Sequence, residues 1–389
     1  MRESRTRLPF LVALGAGALL LSACTESTSS AGDAGSPRSL SVSSSAESCD
    51  VSAGTAPAGT LTFDVTNDGD EVTEFYLLGD DGLRIVAEVE NIGPGLSRQL
   101  VVNAPAGDYF TACKPGMSGD GIRAAFTVTP SDEEPTVSAD TQALVDAAVK
   151  NYSAYVQDQS DQLLAATEEF VKVYRAGADD RARALYPEAR VHWERIETVA
   201  ESFGDLDPKM DAREADLEPG QKWTGWHRIE KDLWPPARYT ALTTKQRAAF
   251  ADDLLANTRT LDERIGKLSF TVDQIANGSR GLLEEVATGK VTGEEEIWSH
   301  TDLWDFQANV DGARVGFEGV KPIVEQNDPA LATQLTERFA ALQKLLDSHR
   351  DGDGFVFYDT VATPERKQLS DAVNALSEPL SRLTAAVLG

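Results

Sequence analysis

The sequence predicts a two-domain protein in which an all-β Greek-key sandwich precedes an all-α helical bundle. Three observations carry that expectation. Residues 48–130 alternate apolar and polar positions in short runs separated by Asn, Asp, Gly and Pro. From Asp140 onward the apolar positions recur at helical spacing. Between the two, residues 130–136 hold two prolines and three acidic residues, the composition of a linker.

Ahead of the sandwich, Arg2, Arg5 and Arg7 precede a nearly unbroken apolar run over residues 8–21, ending in Leu21-Ser22-Ala23-Cys24. A basic region, a short apolar stretch and small residues before a cysteine form the layout of an export signal. The stretch is too short to span a bilayer comfortably. Residues 1–23 are therefore expected to be a lipoprotein signal peptide, with Cys24 the lipidated first mature residue. More than one acyl chain on Cys24 would give stable anchoring. Residues 24–47, mostly Ser, Thr, Ala, Gly and acids, are expected to form a flexible tether. The formal net charge is -27, and loss of the signal makes it more negative still. Such a surface repels nucleic acid and attracts cations, so no nucleic-acid partner is expected.

The first domain is expected over residues 48–130. Strands are predicted at 60–66, 73–78, 84–89, 97–102, 107–112 and 124–129, with a seventh near Cys49. Asn67-Asp68-Gly69-Asp70 supplies a turn between the first two. Six or seven short strands in some eighty residues suit a small Greek-key sandwich. After a linker at 131–138, the helical domain is expected over 139–389. Leu144, Ala147, Ala148, Tyr152, Tyr155 and Leu163 begin one stripe. Helical spacing continues through 170–186, 191–203, 226–233, 244–267, 271–288, 300–318, 328–349 and 367–388. Arg350-Asp351-Gly352-Asp353-Gly354 has the start of a calcium loop but lacks its closing glutamate, so a turn is expected there.

Cys49 and Cys113 both fall in the first domain. In an oxidising compartment such a pair forms a disulfide; the alternative is a thiolate metal site involving Cys113 and Met117. Cys113-Lys114-Pro115-Gly116-Met117 looks like the late loop of a blue-copper protein. A blue-copper site needs two histidines, and all four histidines of the chain (His192, His227, His300 and His349) lie in the helical domain. Ordinary blue-copper electron transfer is thereby disfavoured. A weaker ion site built from Glu74, Asp108 and Met117 remains open.

In the helical domain, His227 and Glu230 stand three apart and share a helix face, the spacing of a nitrogen and an oxygen ligand to one ion. Alone, the pair is more often a helix-stabilising contact. Upstream, His192-Trp193-Glu194-Arg195-Ile196-Glu197 nearly repeats the run His227-Arg228-Ile229-Glu230. Between them, residues 204–220 carry Asp205, Asp207, Asp211, Glu214, Asp216 and Glu218, which read either as a solvated loop or as carboxylates folded over the helices. Mixed carboxylate and imidazole ligands suit iron, zinc, manganese or copper. All six tryptophans lie in this domain, several beside these residues, as packing or as the walls of a cleft. No His-Glu-x-x-His run, phosphate loop or dinucleotide fingerprint is present.

Taken together these segments resemble the EfeO family, extracytoplasmic components of iron uptake that join a cupredoxin-like domain to an imelysin-like (peptidase M75) domain. The matching runs are Thr73-Glu74-Phe75-Tyr76, Glu88-Val89-Glu90-Asn91-Ile92, and Tyr109 through Cys113 to Gly116. In the second domain they are His192 to Glu197, Glu201 to Pro208, Gly225 to Glu230, and Ser299 to Phe306. The resemblance covers nearly the whole mature chain. It implies metal ligands at His227 and Glu230 with carboxylates from Glu194 and Asp211. Glu197 and Glu214 are neighbouring candidates, and Glu285 or Glu294 a further carboxylate. It also implies a second metal, copper or another divalent ion, handled by the first domain.

The role implied is capture of ferrous or ferric iron outside the membrane and transfer to a membrane iron permease, beside a haem-peroxidase-like partner. Cys24 departs from soluble relatives and places the chain on the outer face of a cytoplasmic membrane. No catalytic turnover is expected. The competing readings are a metallopeptidase, which needs a metal-bound water with a base in reach; a metal-dependent polysaccharide binder; and a structural envelope protein. Full salt-bridging of Glu194, Asp211, His227 and Glu230 would favour the last.

Overall fold

The computed structural model describes residues 36–117, 119, 121–131, 138–217 and 219–389. The signal peptide, Cys24, the first half of the tether, most of the linker and Glu218 lie outside the described residues. Pro37–Gly389 forms one compact unit, with a β-rich region over 39–129 and a helical region over 139–388.

Nine strands make the first region: β1 (Ser39–Ser44), β2 (Cys49–Val51), β3 (Thr55–Pro57), β4 (Gly59–Asn67), β5 (Thr73–Leu78), β6 (Ile85–Ile92), β7 (Ser97–Ala104), β8 (Gly107–Cys113) and β9 (Ile122–Thr129). They form a four-stranded sheet, β2-β1-β4-β7, and a five-stranded sheet, β3-β9-β8-β5-β6. Inward residues of both sheets share one core: Leu40, Val42, Leu61, Phe63 and Val65 from the first, and Phe75, Leu77, Val89, Phe126 and Val128 from the second. The alternation in 60–66 is what puts Leu61, Phe63 and Val65 on that face. Two strands escaped the sequence reading. The expected tether 24–47 contains β1, which pairs parallel with β4 from Ser39↔Thr62 to Ser44↔Asn67. Its serines hid two inward apolar residues, Leu40 and Val42, enough to seat a strand between β2 and β4. The short β3 pairs with β9.

The helical region comprises α1 (Ala139–Arg175), α2 (Asp179–Glu194), α3 (Glu197–Glu201), α4 (Asp207–Met210), α5 (Gly225–Leu233), α6 (Thr244–Ile265), α7 (Val272–Thr288), α8 (Asp302–Asn327), α9 (Pro329–Asp347), α10 (Thr363–Leu380) and α11 (Leu383–Leu388). Ser138 caps α1 by accepting the Thr141 amide. The expected helix 170–186 is split at Gly177, whose φ is +71°. The expected 191–203 is split between α2 and α3, and 367–388 between α10 and α11. Helix α8 runs past residue 318 to Asn327 through Pro322. Arg350–Asp351 and Gly354–Phe355 pair as a two-stranded hairpin, β10 and β11, turned by Gly352 at φ +59°.

Helix α8 packs on α1, α2, α7, α9 and α11, so its first half is buried nearly all round, while Arg314, Glu318 and Pro322 mark an exposed face further along. Trp193, Trp226, Tyr174, Tyr186 and Phe170 fill the core beside it. The sandwich rests on α7: Arg280 donates to the Glu88 carbonyl at 3.2 Å, Asn277 to the Val101 carbonyl at 3.1 Å, and Asp273 accepts the Asn103 amide at 2.8 Å. Among the described residues no helix is long and apolar enough to cross a membrane.

Candidate metal centre

Five chain segments meet around His227. The C-terminal half of α2 supplies Arg190, Trp193 and Glu194, and α3 opens with Glu197. Asp211 follows α4. Helix α5 supplies His227 and Glu230, and the turn before α8 supplies Glu295 and Glu296. A local constraint brings Asp211 beside His227. Gly225 opens α5 at φ +86°, and a Cβ there would lie 2.1 Å from the Met210 carbonyl oxygen. Only glycine lets α5 start against the end of α4.

His227 is fully buried, and its two nitrogens face different partners. Nδ1 lies 3.2 Å from Glu230 Oε2. The other Glu230 oxygen accepts the Trp298 and Ser299 amides at 2.9 and 2.7 Å. Glu230 is therefore committed on both oxygens. Nε2 makes no hydrogen bond, yet faces Glu295 Oε1 at 3.3 Å and Asp211 Oδ1 at 3.5 Å. An orphaned buried nitrogen between two carboxylate oxygens is the geometry of a ligand set that an ion can complete. His227, Asp211 and Glu295 can hold such an ion, and Glu194 and Glu197 gather with Asp211 and Glu295 in an overlapping group. His227, Glu230 and Glu296 form another, on the Nδ1 side.

The charge around this point is unbalanced. Glu194, Glu197, Asp211, Glu230, Glu295, Glu296 and Asp305 are buried together with two cations, Arg190 and Lys290. Lys290 contacts Glu197 at 2.8 Å and Glu194 at 3.0 Å. The Arg190 guanidinium bonds Asp211 and Glu194 and lies 2.8 Å from Glu296. Seven carboxylates against two fixed cations leave a buried deficit of positive charge, which protons or a metal ion must supply. Burial, then Glu197, pushes Glu194 up to about 8. Burial, partly offset by Lys290, brings Glu197 to about 7. Burial holds Glu296 and Asp305 well above the carboxylate range. Burial would raise Glu295 too, but Lys290 and His227 hold it well below. For His227, burial and Arg190 push downward, and Asp211, Glu230 and Glu295 outweigh them, raising it to about 10.

Access is from one side. Asp211 and Glu295 keep 8% and 10% of their side-chain surface, while His227, Glu230, Glu194 and Glu296 keep none. Arg213 stands at that opening, 3.5 Å from Glu295. Supporting bonds fix the ligands: Trp193 donates to Asp211 at 2.8 Å, Tyr186 to Glu296 at 3.0 Å, and Asn309 to Glu197 at 2.8 Å.

Of the residues singled out in the sequence, the structure brings together His227, Glu230, Glu194, Asp211 and Glu197. Glu294 is exposed, and the next two residues, Glu295 and Glu296, turn inward instead. Glu214 pairs with Lys231 at the surface. Glu285 joins Glu197 and Glu201 in a further group that shares Glu197 with the centre. His192 stays outside the centre, with Nδ1 2.9 Å from Gln159; burial and Arg195 lower it to about 4. Arg190, Lys290, Glu295, Glu296, Asp305 and Asn309 went unnoticed. The run of three consecutive glutamates beside an aromatic segment was the signal available for two of them.

In the sandwich, Cys49 and Cys113 form a disulfide, which removes the thiolate alternative. Glu74 is buried, accepts the Tyr76 hydroxyl and lies 4.0 Å from Lys114. Asp108 accepts Thr127 at the far end of β8, and Met117 is 42% exposed. Glu74 on β5 and Asp108 on β8 thus sit at opposite ends of a pair of adjacent antiparallel strands, too far apart for a common ion.

The sequence profile of the imelysin family (peptidase M75) matches residues 148–383. An Efem/EfeO family lipoprotein of Staphylococcus haemolyticus is 44% identical over 247 residues, 63% of this chain and 85% of the relative. Iron uptake system component EfeO of Yersinia pestis is 37% identical over 344 residues, 88% of this chain and 89% of its own. The protein of that name from Escherichia coli O157:H7 is 35% identical over the same span and shares.

Proposed function

The chain belongs to the imelysin family, among its EfeO-type members, and from that premise we propose that it is an iron-binding lipoprotein which captures iron outside the cytoplasmic membrane and delivers it to a membrane iron permease. One observation carries the reading: the orphaned Nε2 of His227 facing Asp211 and Glu295 inside a buried excess of carboxylates. In this account the cargo is held by His227 Nε2, Asp211 and Glu295, with Glu194 or Glu197 completing the shell. Glu230 is the residue that orients the imidazole, since a ligating histidine commonly donates its other N–H to a carboxylate. The ion's access from the Asp211 and Glu295 side suits uptake and release without unfolding the centre.

The remaining elements follow from the same reading. Cys24 carries the lipid, and a haem-peroxidase-like partner acts on ferrous iron beside this chain. The β-rich region is a Greek-key cupredoxin-like domain, without catalytic turnover in either half. Its disulfide and the separation of Glu74 from Asp108 argue against the ion site considered from sequence, and copper or another divalent ion there would draw on a different ligand set.

A second reading, a structural role without cargo, is favoured by Arg190, whose guanidinium already bridges Asp211 and Glu194. Calorimetric titration with ferrous iron under nitrogen and with ferric iron in air separates the two. Tight binding that is lost in His227→Ala, Glu230→Ala supports capture at this centre. Binding unchanged in that double variant moves the cargo site elsewhere, and absence of binding in both oxidation states favours the structural role.

A further inference from the structure

Inside the centre a buried carboxyl group stands beside a guanidinium that does not bond to it. The Nε–H of Arg190 lies 2.8 Å from Glu296 Oε1 without the alignment of a hydrogen bond, although Arg190 is fully buried. Asp305, on α8, is also fully buried, and neither of its oxygens has a partner. The two groups are 3.5 Å apart. An unsatisfied carboxyl group in the interior is costly, so the place of Asp305 beside a guanidinium that leans toward Glu296 instead needs a reason.

The rest of the guanidinium supplies one. Its terminal nitrogens are spent on Asp211 and Glu194, and Nη2 lies 3.6 Å from Glu295 Oε1. Asp211 Oδ1 and Glu295 Oε1 are the same oxygens that flank His227 Nε2. An ion held by His227 therefore draws on the oxygens that hold Arg190, and two cations cannot share them at full strength. We propose that Arg190 is a displaceable counter-cation, which holds the ligand carboxylates together while no ion is bound and shifts onto Asp305 when iron binds. This rests on the reading of the His227 centre as the iron site. Arg190 is then a positioning residue: it keeps the carboxylates from repelling one another apart, and by staying close to the bound ion it lowers affinity and hastens release. Asn309, one turn beyond Asp305 on the same helix, holds Glu194 and Glu197, so α8 presents a fixed backdrop against which the guanidinium can move.

The test uses the full chain in detergent, with ferrous iron, an iron chelator to follow release, and thermal melts of the iron-free and loaded forms. Removing one positive charge a few ångströms from the ion is expected to tighten binding by about tenfold or more in Arg190→Met, with release slowed in proportion. The iron-free variant should melt lower than wild type, and its gain in melting temperature on loading should be larger. Arg190→Lys, which keeps the charge, should bind like wild type. Asp305→Asn, which weakens the landing point, should bind iron more weakly. A folded Arg190→Met that binds no more tightly than wild type overturns the proposal. Should that variant not fold, unchanged affinity and release in Asp305→Asn overturn it equally. Iron binding that survives His227→Ala, or is absent from wild type, instead defeats the underlying site and the proposal with it.

Discussion

Replacing Glu230 by glutamine is a nearly isosteric change, yet the structure predicts a large effect on iron binding. Both Glu230 oxygens act as acceptors: Oε1 for the Trp298 and Ser299 amides, and Oε2 for His227 Nδ1. A glutamine amide offers one acceptor oxygen and one NH2 donor. If the oxygen stays with the two backbone amides, the NH2 faces Nδ1 and favours the tautomer with the proton on Nε2, the nitrogen that the ion requires. If the amide flips, its donors meet the Trp298 and Ser299 N–H groups. Either arrangement leaves a buried donor unsatisfied, about 1–3 kcal/mol. Loss of such an orienting carboxylate ordinarily costs about 10–100-fold in metal affinity. Calorimetry of wild type and Glu230→Gln, with circular dichroism to establish folding, measures both effects. Wild-type iron affinity in the folded variant would refute the assignment of Nδ1 to Glu230 and Nε2 to the ion.

Three further outcomes follow from named contacts. Gly225→Ala places a Cβ against the Met210 carbonyl at a positive φ, so it should destabilise the fold by at least about 1–2 kcal/mol and weaken iron binding, read by denaturation and calorimetry. Reducing Cys49–Cys113, which are 64 residues apart, should cost the β-rich region about 4 kcal/mol on the chain-entropy account while leaving iron affinity at His227 unchanged in the folded protein. His227, raised to about 10, is protonated without iron and must release a proton to ligate it. Affinity should therefore rise with pH toward that value, with proton release read from calorimetry in buffers of different ionisation enthalpy. In the iron-free protein the sign for stability is opposite: the raised value favours the folded state fully below about 6.5, and that contribution fades as pH rises through about 10.

Helix α5 and its His227–Glu230 pair were legible because a three-residue spacing puts two side chains on one face whatever surrounds them. The strands β4 to β9 were legible from alternation and turn residues. Strand β1 was not, since only two of its six side chains are large and apolar and its partner, β4, lies across an intervening pair of short strands. The passage of α8 through Pro322 depends on burial by neighbouring helices, which outweighs a local breaker. Within the site, periodicity could not choose among Glu294, Glu295 and Glu296, because they lie in a turn and their directions are set by the Asp302 side chain capping the Glu296 amide. Arg190 and Lys290 belong to no motif in the sequence; what makes them part of the centre is contact with carboxylates remote in sequence. Local pattern thus located the imidazole, while the oxygens around it came from long-range packing.

X-ray absorption at the iron edge of the loaded protein, compared with His227→Ala loaded to the same extent, tests the central claim most directly. One imidazole nitrogen among carboxylate oxygens, absent from the variant, is the predicted result. An all-oxygen shell identical in both proteins would contradict it and place the iron away from His227.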